Sequence, residues 1–304
     1  MIHDAHVHFF SPRFFGALGA QLRLPEEGRV ASVLERLGWE GAASAEALAD
    51  RWVADLDAHG VGRSALIASV PGDEASVAAA VARHPSRFVG YFMLDPTTDD
   101  AVSRAGLAFD EGLRVMCLFP AMQRYSLRDP QVHAVVEAAA SRSGTAIFVH
   151  CGALSVGVRK RLGLPSVFDA GMGHPLGVNQ LASKWPALPF IVPHFGAGLF
   201  HEALLVADLC PNVYLDTSSS NRWMKYHPGL TLERVFATAL DVAGPERLLF
   251  GTDSSFFPRG WNKDVHTSQK AALDAIGADA GVQASIFGGN FARLFPEGSG
   301  TVTR

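Results

Sequence analysis

Short apolar runs alternate with helical patterns along most of the chain, and this alternation predicts its fold. Eight runs rich in Val, Ile, Leu and Phe are predicted β-strands, at residues 2–8, 63–70, 88–94, 113–119, 145–151, 189–195, 212–217 and 247–252. Most are continuously apolar, which is typical of strands covered on both faces. Between them, apolar positions recur at helical spacing in residues 45–59, 74–83, 129–140, 199–209, 232–242 and 263–276. Such alternation predicts a parallel sheet.

Eight repeats of strand and helix predict closure into an α/β barrel, the (β/α)8 or TIM barrel, as a single domain over residues 1–304. An open doubly wound sheet is the alternative, but no Gly-x-Gly-x-x-Gly follows the first strand. The first βα connection, about residues 9–44, is long and rich in aromatic side chains. Such a connection is typical of a lid or pocket wall, and a packed surface excursion is the other interpretation.

Composition and charge narrow the classes of function. The chain has 304 residues, of which 48% are hydrophobic, and a formal net charge of −4 without a long basic block. We therefore expect neither a nucleic-acid partner nor a membrane-surface partner. The chain has no apolar run of about 18 residues, as a membrane span would require. Three cysteines without C-x-x-C spacing and no secretion signal favour a cytoplasmic location.

Candidate metal ligands occur where the predicted strands end, and in a parallel barrel these ends carry the active site. His6 and His8 end the first run. Alternate residues of a strand share one face, so both imidazoles are aimed at the same point, and imidazole is a good ligand for zinc and its neighbours. Four later runs add further candidates at or next to their ends: His150, His194, Asp216 and Asp253.

Each candidate also has a purely structural interpretation. A lone histidine in an apolar strand is more often hydrogen-bonded than metal-bound, but the close pair of His6 and His8 favours a metal. Buried polar groups need partners, and one ion satisfies several of them at once. Asp216 is either a carboxylate behind the ligands or a partner of loop backbone. Asp4 shares a face with His6 and is expected to orient it, although a role at the strand end is equally open.

The order of these residues resembles the amidohydrolase superfamily from Ile2 to about Phe295. The first-strand His-x-His, then His150, His194 and Asp253, follow the order of that family. Three segments, His194 to Gly198, Gly251 to Asp253 and Gly289 to Phe295, are similar to the amidohydrolase-related branch. That branch includes aminocarboxymuconate-semialdehyde decarboxylase, the resorcylate-type decarboxylases and several lactone hydrolases.

The resemblance implies one divalent metal ion, with zinc as the first choice and manganese as the alternative. Binuclear members carry a bridging lysine at the end of strand four, and residues 113–120 contain no lysine. By similarity the ligands are His6, His8, His150 and Asp253 together with a water that His194 contacts. The resemblance also implies a homodimer.

Two reactions fit this set of residues. In the leading hypothesis a metal-activated water attacks the amide, ester or lactone carbonyl of a small-molecule substrate, with Asp253 accepting the proton and His194 stabilising the developing charge. In the alternative, a carboxylated substrate loses carbon dioxide, as in the metal-dependent decarboxylases. A barrel that has lost catalysis and only binds a ligand is the third hypothesis.

Arginines after the predicted strands are candidates for binding a substrate carboxylate. Guanidinium pairs with carboxylate through two parallel hydrogen bonds, so a carboxylated substrate is expected. The candidates are Arg161, Arg222 and Arg259, which follow strands five, seven and eight. A surface role in solubility is the plain alternative for each.

Overall fold

A computed structural model describes residues 1–297 of the chain, so residues 298–304 of the predicted domain lie outside it. The described residues form one parallel sheet. Its strands are β1 (Ile2–Asp4), β2 (His8–Phe9), β3 (Val61–Ala68), β4 (Phe88–Met93), β5 (Val115–Leu118), β6 (Ala146–Val149), β7 (Phe190–Val192), β8 (Val213–Asp216) and β9 (Leu248–Leu249). Both β1 and β2 pair with β3, so the first predicted strand is one interrupted strand of an eight-stranded barrel.

Backbone hydrogen bonds close the barrel between its first and last strands. The sheet runs from β1 through β3 to β9 in chain order. The amide of Asp253 donates to the carbonyl of His6 at 2.9 Å, and the amide of His8 donates to the carbonyl of Ser254 at 2.7 Å. The (β/α)8 barrel predicted from sequence is therefore confirmed, and candidate ligands lie directly on the seam where the barrel closes.

Helices cover the outside of the sheet. The six predicted helices are confirmed, each to within one residue at either end. The helices are α1 (Pro12–Gln21), α2 (Arg29–Leu37), α3 (Ala45–Ala58), α4 (Glu74–Arg83), α5 (Ala101–Asp110), α6 (Pro120–Gln123), α7 (Pro130–Ala140), α8 (Gly157–Arg161), α9 (Leu176–Lys184), α10 (Phe200–Leu209), α11 (Leu232–Ala243), α12 (Lys263–Ala275), α13 (Ala280–Ala284) and α14 (Asn290–Leu294). Among residues 1–297, none of them has the length and apolarity needed to cross a bilayer.

The long first connection folds into α1 and α2 and forms one wall of the cavity above the barrel. The Ser11 side chain caps α1 by accepting a hydrogen bond from the amide of Phe14 at 3.1 Å. Both helices share a small apolar cluster with Val158 of α8. Because Phe10, Phe14 and Trp39 reach the cavity, this connection is a pocket wall as well as a packed excursion.

Apolar side chains fill the barrel below the site. Alternate strand residues point inward, and each of the strands β3 to β7 and β9 contributes one to three of them. Aromatic side chains of α14 and the residue after it close the lower end. This interior cluster includes Ile67, Tyr91, Cys117, Phe148, Ile191, Leu249, Phe291 and Phe295. The packed interior gives the residues at the strand ends a rigid base.

Candidate metal centre

The carboxyl ends of the strands surround a cavity of about 820 Å³. All four histidines predicted at strand ends lie there, together with one of the predicted acids. The five candidate ligands and catalytic residues among its lining are His6, His8, His150, His194 and Asp253. The fold therefore brings together in one cavity residues that are up to 247 positions apart in the chain, from 6 to 253.

Three of these residues are close enough to share one ion. The ligand atoms of His6, His8 and Asp253 all lie within 4.8 Å of one another. One carboxylate oxygen of Asp253, Oδ1, is 3.2 Å from Nε2 of His8 and 3.7 Å from Nε2 of His6. Ligands that bind zinc at about 2.1 Å are at most about 4.2 Å apart. Both measured distances fit that limit, so these residues fit a divalent cation.

His150 and His194 lie next to this group, with 5.3 Å between their ring centroids. His150 is not among the three residues grouped above, so its role as a ligand stays a prediction. Its Nδ1 is buried and has no hydrogen-bond partner within residues 1–297, which is costly unless another group satisfies it. Burial, and then the charges of His194 and His6, hold the pKa of His150 well below its usual value. A neutral ring with an unpaired nitrogen is what a cation requires of a ligand.

Asp216 holds the imidazole of His6 in place. Its Oδ2 is 2.6 Å from Nδ1 of His6, and both side chains are completely buried or nearly so. Burial alone would raise the pKa of Asp216, but the charge of His6 and the hydrogen bond between them lower it overall. The ionised carboxylate accepts the Nδ1 hydrogen and leaves the Nε2 lone pair of His6 facing the cavity.

Ser69 sets the orientation of His8 in the same way. The Ser69 hydroxyl donates to the carbonyl of Ile67 at 3.0 Å, and Nδ1 of His8 is 2.8 Å from the same hydroxyl oxygen. A hydroxyl has only one hydrogen, so this oxygen can only accept from His8. Nδ1 of His8 therefore carries the hydrogen, and Nε2 is free to bind a cation.

Asp4 contacts the backbone of His6 rather than its ring. Its carboxylate accepts hydrogen bonds from the amide of His6 at 2.9 Å, from both the amide and the hydroxyl of Thr252, and from the indole of Trp261 at 2.8 Å. Burial raises the pKa of Asp4 to about 6 in spite of these hydrogen bonds. Asp4 thus ties the first strand to the end of the last one, and the orientation of the His6 ring depends on Asp216.

Electrostatics keep the acid of the site ionised. Burial acts to raise the pKa of Asp253, but its close contact with His8 and its electrostatic interaction with the His6 and His8 imidazoles lower it far below its usual range. Burial, followed by the charge of His6, lowers the pKa of His194. At neutral pH the site therefore combines an anionic Asp253 with a neutral His194.

The backbone is strained where it presents these two side chains. Asp253 has φ +58° and His194 has φ +56°, values that non-glycine residues rarely adopt. Left-handed geometry continues from His194 through Gly198. Gly152, two residues after His150, packs against this turn so closely that a Cβ there would lie 2.1 Å from the carbonyl oxygen of Gly196. The positions of His150 and His194 therefore depend on one tight contact between the loops that follow β6 and β7.

All three predicted arginines line the cavity, and two lysines that the sequence analysis did not select join them. Arg259 donates to the carbonyl of Asp253 at 3.3 Å and to the hydroxyl of Ser255 at 3.1 Å, next to the centre. Asp253 is the one carboxylate among the described residues that line the cavity. Its five cationic side chains are Lys160, Arg161, Arg222, Lys225 and Arg259. The cavity therefore favours an anionic ligand.

Comparison with known proteins agrees with the fold and shows the family. Residues 3–296 match the family model described as amidohydrolase, so the chain belongs to this family and is an enzyme of the amidohydrolase superfamily. No curated protein matches the chain.

Solved structures of similar fold include three proteins that match almost the whole chain. A probable 2-pyrone-4,6-dicarboxylic acid hydrolase from Acinetobacter baumannii, with citric acid bound, is 14% identical, covers 97% of this chain and 98% of its own, and has a TM-score of 0.63. An uncharacterised TIM-barrel protein from Bordetella bronchiseptica is 20% identical with the same coverage and a TM-score of 0.66. An amidohydrolase from Burkholderia multivorans with zinc bound is 16% identical, covers 97% and 99%, and has a TM-score of 0.61. At these identities the likeness establishes the fold.

Proposed function

We propose that this chain is a metal-dependent hydrolase that cleaves an amide, ester or lactone bond in a small carboxylated substrate. One observation carries the proposal. His6, His8 and Asp253 present three ligand atoms within 4.8 Å of one another, at the base of a cavity with five cationic side chains. A set of metal-ligand residues and a set of cationic side chains in one cavity match what such a reaction requires.

The donor set favours zinc, with manganese as the alternative. Imidazole nitrogens and a carboxylate oxygen are common zinc ligands. His6 and His8 would hold the ion through Nε2, Asp253 through a carboxylate oxygen, and His150 is the proposed fourth ligand. A bound divalent ion lowers the pKa of a coordinated water to about 7 and polarises a carbonyl oxygen. The zinc in the relative from Burkholderia multivorans supports this choice of ion.

Asp253 is the residue we propose for proton transfer. It is ionised, its side chain is 34% exposed, and it is the acid on the described cavity surface. Its carboxylate takes a proton from the attacking water and delivers it to the leaving group. His194 stabilises negative charge on the substrate oxygen. Arg259 binds the substrate carboxylate together with the other cationic side chains of the cavity, which are Lys160, Arg161, Arg222 and Lys225.

The test combines metal analysis with a substrate panel. Purified protein is expected to hold about one equivalent of zinc, and to hydrolyse at least one member of a panel of carboxylated lactones, esters and amides. Carbon dioxide is measured in parallel with aromatic carboxylates. Release of carbon dioxide without hydrolysis would contradict the proposal and support the decarboxylase. Absence of both metal and turnover after expression with added zinc would support the non-catalytic barrel.

Substitution of Arg259 tests the role of the substrate carboxylate. The Arg259→Gln variant should raise KM for a carboxylated substrate while zinc content stays the same, because the ion pair with substrate is lost. Arg234→Gln, at an exposed position of α11 outside the cavity lining, is the matched control and should leave KM unchanged. Equal KM values for both variants would contradict the assignment of Arg259.

A further inference from the structure

The buried Ser218 hydroxyl lies between two imidazole rings of the site. Its Oγ is 3.0 Å from Nδ1 of His6 and 2.8 Å from Nδ1 of His194. Ser218 is completely buried and follows β8 directly after Thr217. The hydroxyl has one hydrogen for two neighbouring nitrogens, so its direction decides which of them carries a hydrogen of its own.

The His6 side of this arrangement is already determined. Nδ1 of His6 faces the carboxylate of Asp216 at 2.6 Å, and an ionised carboxylate can only accept. Nδ1 of His6 therefore carries a hydrogen. Towards that N–H the Ser218 oxygen acts only as an acceptor, and its own hydrogen is free to point elsewhere.

Two acceptors remain for that hydrogen, the carboxylate of Asp216 and Nδ1 of His194. The two oxygens of Asp216 already accept from Nδ1 of His6 and from the amide of Ser218, each at 2.6 Å, whereas Nδ1 of His194 lies 2.8 Å from the Ser218 hydroxyl. We propose that Ser218 donates to Nδ1 of His194 and thereby fixes this ring as the tautomer with its hydrogen on Nε2. Ser218 is thus a positioning residue that acts through His194.

One other arrangement competes with this one. The carbonyl oxygen of Ser218 is 3.3 Å from Nδ1 of His194, and a bond to it would require the hydrogen on Nδ1. The Ser218 hydroxyl would then have to donate to Asp216, whose two oxygens already accept from His6 and from the amide of Ser218. The contact between the Ser218 hydroxyl and Nδ1 of His194 is also the shorter of the two, 2.8 Å against 3.3 Å, so it is favoured.

The consequence is a division of roles between the histidines. His6 and His8 carry their hydrogens on Nδ1 and offer Nε2 lone pairs, whereas His194 offers an N–H group at Nε2. An N–H group cannot bind a cation but donates a hydrogen bond to an oxygen that gains negative charge. The catalytic part of this inference rests on the proposed hydrolase function, whereas the tautomer itself does not.

Nitrogen NMR of the zinc-loaded protein labelled with 15N-histidine tests the tautomer directly. Long-range proton–nitrogen correlations distinguish the two neutral forms, and a His194→Gln variant assigns the signal. We expect the Nε2–H form in the unmodified protein. The Nδ1–H form of His194 in that sample would overturn the proposal, whether or not any variant folds.

Ser218→Ala makes the test sharper, since it leaves the Ser218 backbone carbonyl as the partner of His194. The ring should then switch to the Nδ1–H form. Ser64→Ala, which also removes a completely buried hydroxyl but from β3, is the control and should leave the tautomer unchanged. A His194 signal that stays in the Nε2–H form in Ser218→Ala would show that another group sets it and would overturn the proposal.

Kinetics separate this inference from the proposed function. In Ser218→Ala we expect zinc content to be unchanged and kcat to fall by about 10²-fold, as for loss of one donor to a developing oxyanion, with a smaller effect on KM. A switched tautomer with normal kcat would overturn the catalytic role of His194. If the unmodified protein binds no zinc and hydrolyses nothing, the proposed function fails, and the NMR of that metal-free protein still decides the tautomer.

Discussion

His6 and Asp216 form a buried imidazole–carboxylate pair, with 2.6 Å between Nδ1 and Oδ2 and 210 positions between them in the chain. Replacement of Asp216 by Asn keeps the shape but removes the charge that stabilises the Nδ1–H form. We expect metal affinity to fall about 10- to 100-fold. Competition with a chromophoric chelator measures this change. Asp208→Asn, at an exposed position of α10, is the control, and wild-type affinity in Asp216→Asn would contradict the role of the pair.

The two histidines of the first strand are expected to be essential for metal binding. In the His6→Ala/His8→Ala double variant two of the three closely grouped ligands are lost. Metal content should fall to background, and so should any activity. Elemental analysis and the substrate panel measure both. His201→Ala, at an exposed position of α10, should retain metal and activity. Normal turnover in the double variant would refute the metal-dependent mechanism.

Asp253→Asn separates chemistry from folding. The amide cannot accept and return a proton as the carboxylate does, so turnover should be lost, while the circular dichroism spectrum stays that of the folded barrel. The comparison must be made with and without zinc. A variant that unfolds under both conditions would instead assign Asp253 a structural role in closing the barrel, where its amide bonds the carbonyl of His6.

Metal removal should lower the stability of the barrel, because the ligand-bearing segments form its closing seam. A ligand that binds the native state alone stabilises it by about 4 kcal/mol at 1,000 times its Kd. Thermal unfolding with zinc and with a chelator should therefore show a clear difference in Tm. The His6→Ala/His8→Ala variant provides the reference, since its Tm should not respond to the chelator. A response of equal size there would point to a different zinc site.

Gly152→Ala tests whether the tight contact between the loops after β6 and β7 positions His150 and His194. Gly152 has φ +73°, and an added Cβ would lie 2.1 Å from the carbonyl oxygen of Gly196. Gly28 is the matched control, since it has φ +69° but nothing within 4 Å of an added Cβ. Gly28→Ala should lower the free energy of unfolding by about 1–2 kcal/mol, the cost of placing a Cβ on left-handed backbone, and should leave activity normal. Gly152→Ala should cost more and reduce kcat, and equal effects of the two would exclude a role for the contact.

The sequence predicted the barrel because its strands are covered on both faces and read as apolar runs. It did not predict α5, whose buried residues are alanines apart from Phe109, while Val102 and Leu107 are 48% and 61% exposed. That composition hides the helical period. The helices of the first connection were missed because the connection was treated as a loop.

In the candidate site, strand ends and residue types were enough to select His6, His8 and Asp253, which the fold brings close together. The orienting groups were harder to find, because a carboxylate or hydroxyl behind a ligand has no pattern of its own. Asp4 was expected to set the His6 ring, yet Asp216 contacts that ring. The roles of Ser69 and Ser218 depend on distances of 2.8 Å that only the folded barrel provides. The homodimer stays a prediction.

The seam between the first and last strands has a consequence for biosynthesis. His6 and His8 leave the ribosome at least 245 residues before the carboxylate at position 253. During that interval the nascent chain carries only part of the proposed ligand set. The proposed metal centre can therefore be complete only after the last strand has docked against the first.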